Sequence, residues 1–461
     1  MASRTLSCLV FFAMLGALAL RLHGLSHSPE ADTLAREQAT YHYLRKVIQE
    51  NYVKEVKDEK LFYGAMEGMA ALDPHSGFMP PDVYGPFLIS TTGHFVGVGI
   101  NLNPDDSHGL VVLTPLQNTP AYRAGILPGD RIIKIDGAST QGMSQEECGH
   151  RIKGPEGSAV RLTLLHDGDS QPVELTLLRE MIEIKSVQGA EILGPPLVQA
   201  EDGKPASRIG YVQLTQFQEK TAADLDAALK TLEQQGMQAL ILDLRENGGG
   251  LLDQAEKVGD LFLKDGLIVT VITRAASESK GLEEVRRARG IGTHPDYPMV
   301  VLVDSLSASA SEVVAGALKD RGRAILVGDK TYGKFSVQRT FEVPMDDGKL
   351  AALKLTIARY KTPTSPCVDG EGLVPDYLLP STPEQQNALQ VSRLQRQLKE
   401  NDPRPNRNPH SHSAAAGGTV QPNEIEQKPA RVGEAAPGPK PFVDFQLEKA
   451  VEVLQARLKK N

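Results

Sequence analysis

The chain has no tryptophan, and only 5% of its 461 residues are aromatic. That removes the stacking platform on which proteins hold single-stranded nucleic acid. Positive charge is not in excess either. Lys and Arg number 50 against 58 Asp and Glu, a formal charge of −8, which leaves no basic footprint for a phosphate backbone. No nucleic-acid partner is expected. Cysteine is scarce: Cys8, Cys148 and Cys367 are all there is, with no C-x-x-C, no H-E-x-x-H and no Cys/His ligand spacing. Zinc chemistry therefore has no support, and neither a metal nor a cofactor is expected. Cys8 sits in an apolar run, so at most one disulfide is open to Cys148 and Cys367. Both are expected to be reduced or buried, although export would let them oxidise.

Long apolar runs are equally few. The longest, residues 6–20, follows Arg4 and falls short of the ~18–20 residues of a membrane span. Its length and basic flank fit the core of an export signal. No small-x-small cleavage site follows, because Arg21-Leu22-His23-Gly24 is bulky. A cleaved signal and an uncleaved anchor, associated with the membrane through residues 6–20, both stay open for 1–28. Either one places the body in the periplasm or on the extracytoplasmic face of the inner membrane.

What is present divides the chain. Over 29–90 the apolar positions Leu44, Val47, Ile48, Leu61, Ala65, Met69 and Leu72 fall at helical spacing, with Asp73-Pro74 as a stop. A helical cap and a dimerisation element fit that pattern equally. Over 91–179 short apolar runs alternate with glycine, Asp136-Gly137 reads as a turn, and Ser144-Gln145-Glu146-Glu147 as a capping box. This is a compact β-rich module. Over 180–380 strands and helices alternate, which predicts a layered α/β domain. Residues 381–441 lose the pattern and are expected to be a disordered linker. Leu447, Ala450, Val451, Leu454 and Leu458 then form one face of a helix over 442–461, capped by Asp444.

The chemistry gathers at one place. The apolar run Val301-Leu302-Val303 ends in a cluster holding Ser305, Ser307, Ser309 and Ser311, and a helical segment follows at once. Ser309-Ala310-Ser311-Glu312 is itself a capping box, so Ser309 has a purely structural reading. Small neighbours and a helix N-terminus also suit a nucleophile, since first-turn N–H groups point where an oxyanion would form. Lys334 follows 25 residues on. A lysine serves as a base only where its surroundings disfavour the ammonium form, and Tyr332, Phe335 and Val337 are the apolar neighbours expected to do so. Gln338 lies four residues further, within reach of orienting the amine. The run Asn247-Gly248-Gly249-Gly250 ends a strand and lets main-chain N–H groups approach a ligand. The expected oxyanion donors are the N–H groups of Gly249 and Ala310.

These residues, with Gly64-Ala65-Met66-Glu67-Gly68-Met69, Leu72-Asp73-Pro74-His75-Ser76, Gly328 to Lys334, Leu355 to Tyr360 and Gly370 to Asp376, resemble the carboxyl-terminal processing proteases, the Ser/Lys peptidases of family S41. Residues 91–179 resemble the circularly permuted PDZ domain of bacterial proteases. The resemblance implies an α/β, ClpP/crotonase-like peptidase core carrying a PDZ domain and an N-terminal helical cap. It implies Ser309 as nucleophile, Lys334 as base and Gln338 as its orienting partner. It also implies that Gly97, Val98, Gly99 and Ile100 take the terminal carboxylate of a protein or peptide substrate. A homodimer or larger oligomer, and an adaptor protein, are left open. The chain departs from the family pattern in carrying Phe335 after the lysine, Lys153 where arginine is frequent, and Gly248 where proline is usual. Phe335 either desolvates the base or closes the pocket. In the second case the protein would be a catalytically silent PDZ scaffold that binds tails without cutting them.

Overall fold

The computed structural model describes residues 29–103, 110–166, 169–199, 206–274, 282–290, 292–346, 348–363, 370–402 and 442–460. The leader expected over 1–28, Cys8, Cys367 and residues 403–441 lie outside these. Among the described residues no helix is long and apolar enough to cross a membrane. Two compact units emerge: residues up to 84 together with 338–355, and the rest.

In the smaller unit the helical pattern is split into Pro29–Asn51 and Asp58–Ala70. Asn51 and the β-branched Val53 and Val56 disfavour helix between them, and Asp58-Glu59 start the second helix with negative charge at its positive end. Asp73 then forms the stop, taking the N–H groups of His75 (2.8 Å) and Ser76 (2.9 Å) on its side chain. Gly77–Met79 pairs antiparallel with residues 352–354.

The larger unit begins with the β-rich module. Strands Arg131–Ile135, Ala138–Ser139, Ala159–Leu165 and Val173–Leu178 form one sheet; His94–Gly97 pairs with Glu180–Glu183 and Ile100–Leu102 with Val112–Pro115. Alternate residues Ile132, Val160, Leu162 and Leu164 point into a core shared with Cys148 of the helix Gln145–Ile152. Asp136 and Gly137 both have positive φ, 49° and 83°, as a tight hairpin turn requires. Ser144 caps its helix by accepting the Glu147 N–H at 3.2 Å.

A six-stranded sheet follows, in the order Val187–Ile192, Ile209–Leu214, Ala239–Asp243, Met299–Val303, Ile325–Gly328 and Tyr377–Leu378, parallel after the first pair. Its strands Ile209–Leu214, Ala239–Asp243 and Met299–Val303 are buried at every position and mostly apolar, as a sheet covered on both faces demands. Val212, Leu240, Leu242, Val301 and Val303 pack under the helices Thr221–Gln234, Leu252–Asp260 and Ala310–Asp320. Tyr211, Ile241, Val300 and Leu302, one residue out of step, face Leu447, Ala450, Val451 and Leu454 of the C-terminal helix Phe445–Leu458.

One expectation is corrected. Part of the linker placed over 381–441 is a helix, Pro383–Glu400, with Thr382 and Gln385 closing a reciprocal capping box. Its Gln- and Arg-rich composition hides the apolar Leu389, Val391 and Leu394. It is fixed by Arg393, whose guanidinium bonds Asp243 at 2.7 Å and also Glu246.

Candidate active site

The strand Met299–Val303 delivers the chain to a turn in which Asp304 accepts the N–H groups of Leu306 (3.0 Å) and Ser307 (2.9 Å). Three of the four serines are thereby accounted for. The Ser307 hydroxyl, fully buried, donates to Leu244 O at 2.8 Å, and the Ser311 hydroxyl, also buried, donates to Asn247 O at 2.8 Å. Ser305 accepts the Gln386 side-chain amide at 3.4 Å. Ser309 stands apart: half-buried, with φ 56° and ψ −115°. A non-glycine residue in such a conformation costs about 1–3 kcal/mol and persists only where the surroundings impose it. Strand-to-helix turns of hydrolase nucleophiles are strained in this way, which lifts the hydroxyl out of the fold. The capping role is carried mainly by the other partner. Glu312 takes the Ser309 N–H at 2.8 Å, while the serine hydroxyl stands over the Glu312 amide as in a capping box without reaching hydrogen-bond geometry.

Glu312 is the residue that sequence reasoning undervalued. Wholly buried, its carboxylate also accepts the Thr331 hydroxyl (2.6 Å), the Gly333 N–H (2.7 Å) and the Lys334 N–H (2.9 Å). Ser309 and Lys334 share the same oxygen, Oε2. Their backbone nitrogens therefore lie no further apart than two hydrogen-bond lengths. Burial pushes the Glu312 carboxyl up, and the bonds from Thr331, Lys334, Ser309 and Gly333 work against that rise.

The lysine turn is held from its other side by residues 370–373. Thr331 N–H donates to Leu373 O at 3.1 Å, and the Thr331 hydroxyl accepts the Leu373 N–H at 2.6 Å. Gly333 has φ 88°, and a Cβ there would come within 2.6 Å of Gly372 N, so glycine is required for the crossing. Lys334 is half-buried. Of its expected apolar neighbours, Tyr332 is 54% exposed, whereas Phe335 is fully buried and turned into the core against Tyr360, ring centroids 5.5 Å apart. Phe335 thus packs the core. Gln338 lies half-buried on the strand Ser336–Pro344.

The glycine run meets the serine turn as expected. Gly249 has φ 102°, and a Cβ on it would stand 2.9 Å from Ser309 Cβ and 3.0 Å from Ala310 N. Ala310 opens its helix, so its N–H has no partner within that helix. The Gly249 N–H is engaged, donating to Asn247 Oδ1 at 2.9 Å. Asn247, which sequence reasoning passed over, ties the two loops together. Its carbonyl accepts the Ala308 N–H at 3.1 Å, and its side-chain amide donates to Leu214 O at 2.8 Å. Beneath the run, Arg245 is 2% exposed and reaches Asp243 (2.7 Å) and Asp444 of the C-terminal helix (2.8 Å). Burial alone would push the Asp243 carboxyl up, but the charges of Arg245 and Arg393 overcome it and hold it well below the usual carboxylate range.

In the β-rich module the loop 97–100 splits what reads as one strand into two, because Gly99 has φ 79°. A Cβ there would strike Thr119 at 2.3 Å. The Val98 and Gly99 carbonyls accept the N–H groups of Ala121 and Leu116, both at 2.9 Å. Lys153 Nζ rests over the Phe95 ring, 5.8 Å from its centroid.

Residues 208–379 match the peptidase family S41 and residues 87–165 match the PDZ domain. Fold and site together define a serine-type peptidase that carries a PDZ domain and takes protein or peptide substrates. A carboxyl-terminal-processing protease of Synechocystis is 38% identical over 335 residues, covering 72% of this chain and 74% of that protein. A carboxy-terminal-processing protease of Bartonella bacilliformis is 36% identical over 359 residues, covering 75% and 77%. A solved photosystem II D1 C-terminal processing protease is 30% identical, with TM-score 0.40, covering 75% of this chain and 93% of that one. The chain belongs to the carboxyl-terminal-processing proteases of peptidase family S41.

Proposed function

We propose that the protein is an endopeptidase that engages the free C-terminus of a protein substrate through its PDZ domain and cleaves upstream of it with a Ser309–Lys334 dyad. The observation that carries this reading is the single carboxylate oxygen of Glu312 shared by the backbones of both residues. Ser309 Oγ attacks the scissile carbonyl while neutral Lys334 Nζ takes its proton. The Ala310 N–H, at the positive end of its helix, stabilises the oxyanion. Gly249 joins it where its N–H exchanges Asn247 for the developing charge. Lys334 returns the proton to the leaving amine, then draws one from the water that deacylates the serine. Gln338 orients the lysine amine.

Gly97 to Ile100 receive the substrate carboxylate on main-chain N–H groups, since the Val98 and Gly99 carbonyls are already used inward. We assign 91–179 to the PDZ domain and 180–380, apart from 338–355, to the peptidase core. The leader over 1–28 exports the protein to the periplasm or the outer face of the inner membrane. A second copy covers the apolar residues Leu34, Tyr43, Leu44 and Ile48, each at least 40% exposed on the first helix. Amidating the terminus of a good peptide substrate tests the tail-recognition half. The charge loss should raise KM roughly tenfold or more, about 1.4 kcal/mol, with kcat little changed. Equal KM for acid and amide would sink it.

A further inference from the structure

Tyr360 lies on the strand Leu350–Lys361 and is 1% exposed, yet its hydroxyl is not spent on packing. It donates toward two carbonyl oxygens, that of Ser309 at 3.0 Å and, more closely, that of Lys334. Its own N–H donates to Phe335 O at 2.9 Å, and its ring packs on the Phe335 ring. Glu312 holds the N–H groups of Ser309 and Lys334; Tyr360 holds the carbonyls of the same two residues.

We propose that Tyr360 is a positioning residue that fixes the separation of nucleophile and base from the carbonyl side. This inference rests on the Ser309–Lys334 reading. Ser309 needs an external hold, because φ 56° with ψ −115° is not a conformation serine adopts unaided. The Glu312 carboxylate secures the N–H end of each residue. The Ser309 carbonyl also accepts the Val313 N–H at 3.0 Å, so the helix contributes to that end of Ser309 as well. The Tyr360 hydroxyl reaches both carbonyls. A phenylalanine would fill the same space and keep the ring contact, so the hydroxyl is what distinguishes tyrosine at this position. The phenol exchanges no proton with substrate. Its effect passes entirely through where Ser309 Oγ and Lys334 Nζ stand.

The test compares Tyr360→Phe with Phe335→Leu, using Ser309→Ala as control, in full-length protein cutting a tail peptide. Tyr360→Phe should lower kcat about 10- to 100-fold with KM within twofold, because a small misplacement of reacting groups is felt in the chemical step. Its pH–rate profile should shift, since the base is displaced. Phe335→Leu loosens the same packing but leaves the hydroxyl in place, and should keep most of its kcat even where its unfolding temperature drops. Wild-type kcat and pH profile in Tyr360→Phe, with Ser309→Ala inactive, would overturn the proposal. So would a fall in kcat that simply tracks stability in both variants, which marks a packing role. Cleavage surviving in Ser309→Ala would instead remove the dyad reading beneath it.

Discussion

At Glu312 four donors converge on one buried carboxylate, which fills every acceptor site an ionised carboxyl offers. Protonation would remove one of those sites and set a fifth hydrogen against the donors. Burial moves that event upward, so as pH falls the group is protonated sooner than an ordinary glutamate near 4.3. Activity should therefore show an acid limb above the usual carboxylate range, lost as pH falls through it. In Glu312→Gln the limb should vanish and kcat should sit roughly 100-fold low across the whole range, because the amide offers donors to donors. A pH series of kcat on both proteins checks this, and an unchanged limb in the variant would contradict it. The sequence shows Glu312 plainly, but only as the far end of a capping box. Its bonds to Thr331, Gly333 and Lys334 join segments about twenty residues apart, which no local pattern records. Small residues before a helix start marked Ser309 as cap or nucleophile alike, and the family resemblance chose between the two. The approach of Gly249 to the serine turn was legible from the glycine run, and its bond to Asn247 was not.

The elements that carry the site are tied down from outside the family-matching core. Strand Ala239–Asp243 ends in Asp243 and Arg245, and Arg245 is gripped by Asp444 and Gln446 at the start of the C-terminal helix. That helix covers one face of the sheet with Val451, Leu454 and Leu447, each worth about 1.5–3 kcal/mol when buried. Replacing Asp444 with Ala takes one of two carboxylates from a buried guanidinium, leaving it Asp243 and Gln446, and removes a helix cap. The urea midpoint should drop by the equivalent of about 2–4 kcal/mol, a charged hydrogen-bond pair plus a cap. The sign with pH follows from Asp243, whose folded carboxyl is held low. The unfolded chain takes up the proton first, so this contribution is complete above about pH 3.9 and declines below it. A midpoint in Asp444→Ala equal to wild type would show the helix to be a mere appendage. The C-terminal helix was readable from its apolar face and its aspartate cap. The helix Pro383–Glu400 escaped notice although its capping box, Thr382 to Gln385, is written in the sequence. Composition outweighed the local signal there, and the anchor, Arg393 on Asp243, is a contact across 150 positions.

Over the whole molecule, alternating strand and helix between 180 and 380, and glycine-punctuated short strands before it, gave the two architectures correctly. The partition into two compact units was not legible. Residues 338–355 leave the core sequence and group with the N-terminal helices, a choice made by strand pairing between 77–79 and 352–354. Lys153 on Phe95 likewise appears only in three dimensions. The claim on which everything else depends is that cutting is done by a serine and a lysine without histidine. Cleavage of one tail peptide should be measured with wild type, Ser309→Ala and Lys334→Ala side by side, each shown to be folded. The account predicts loss of at least about 10⁴-fold in kcat for both variants, since residues acting as one unit fail together. Substantial turnover in either folded variant would contradict it.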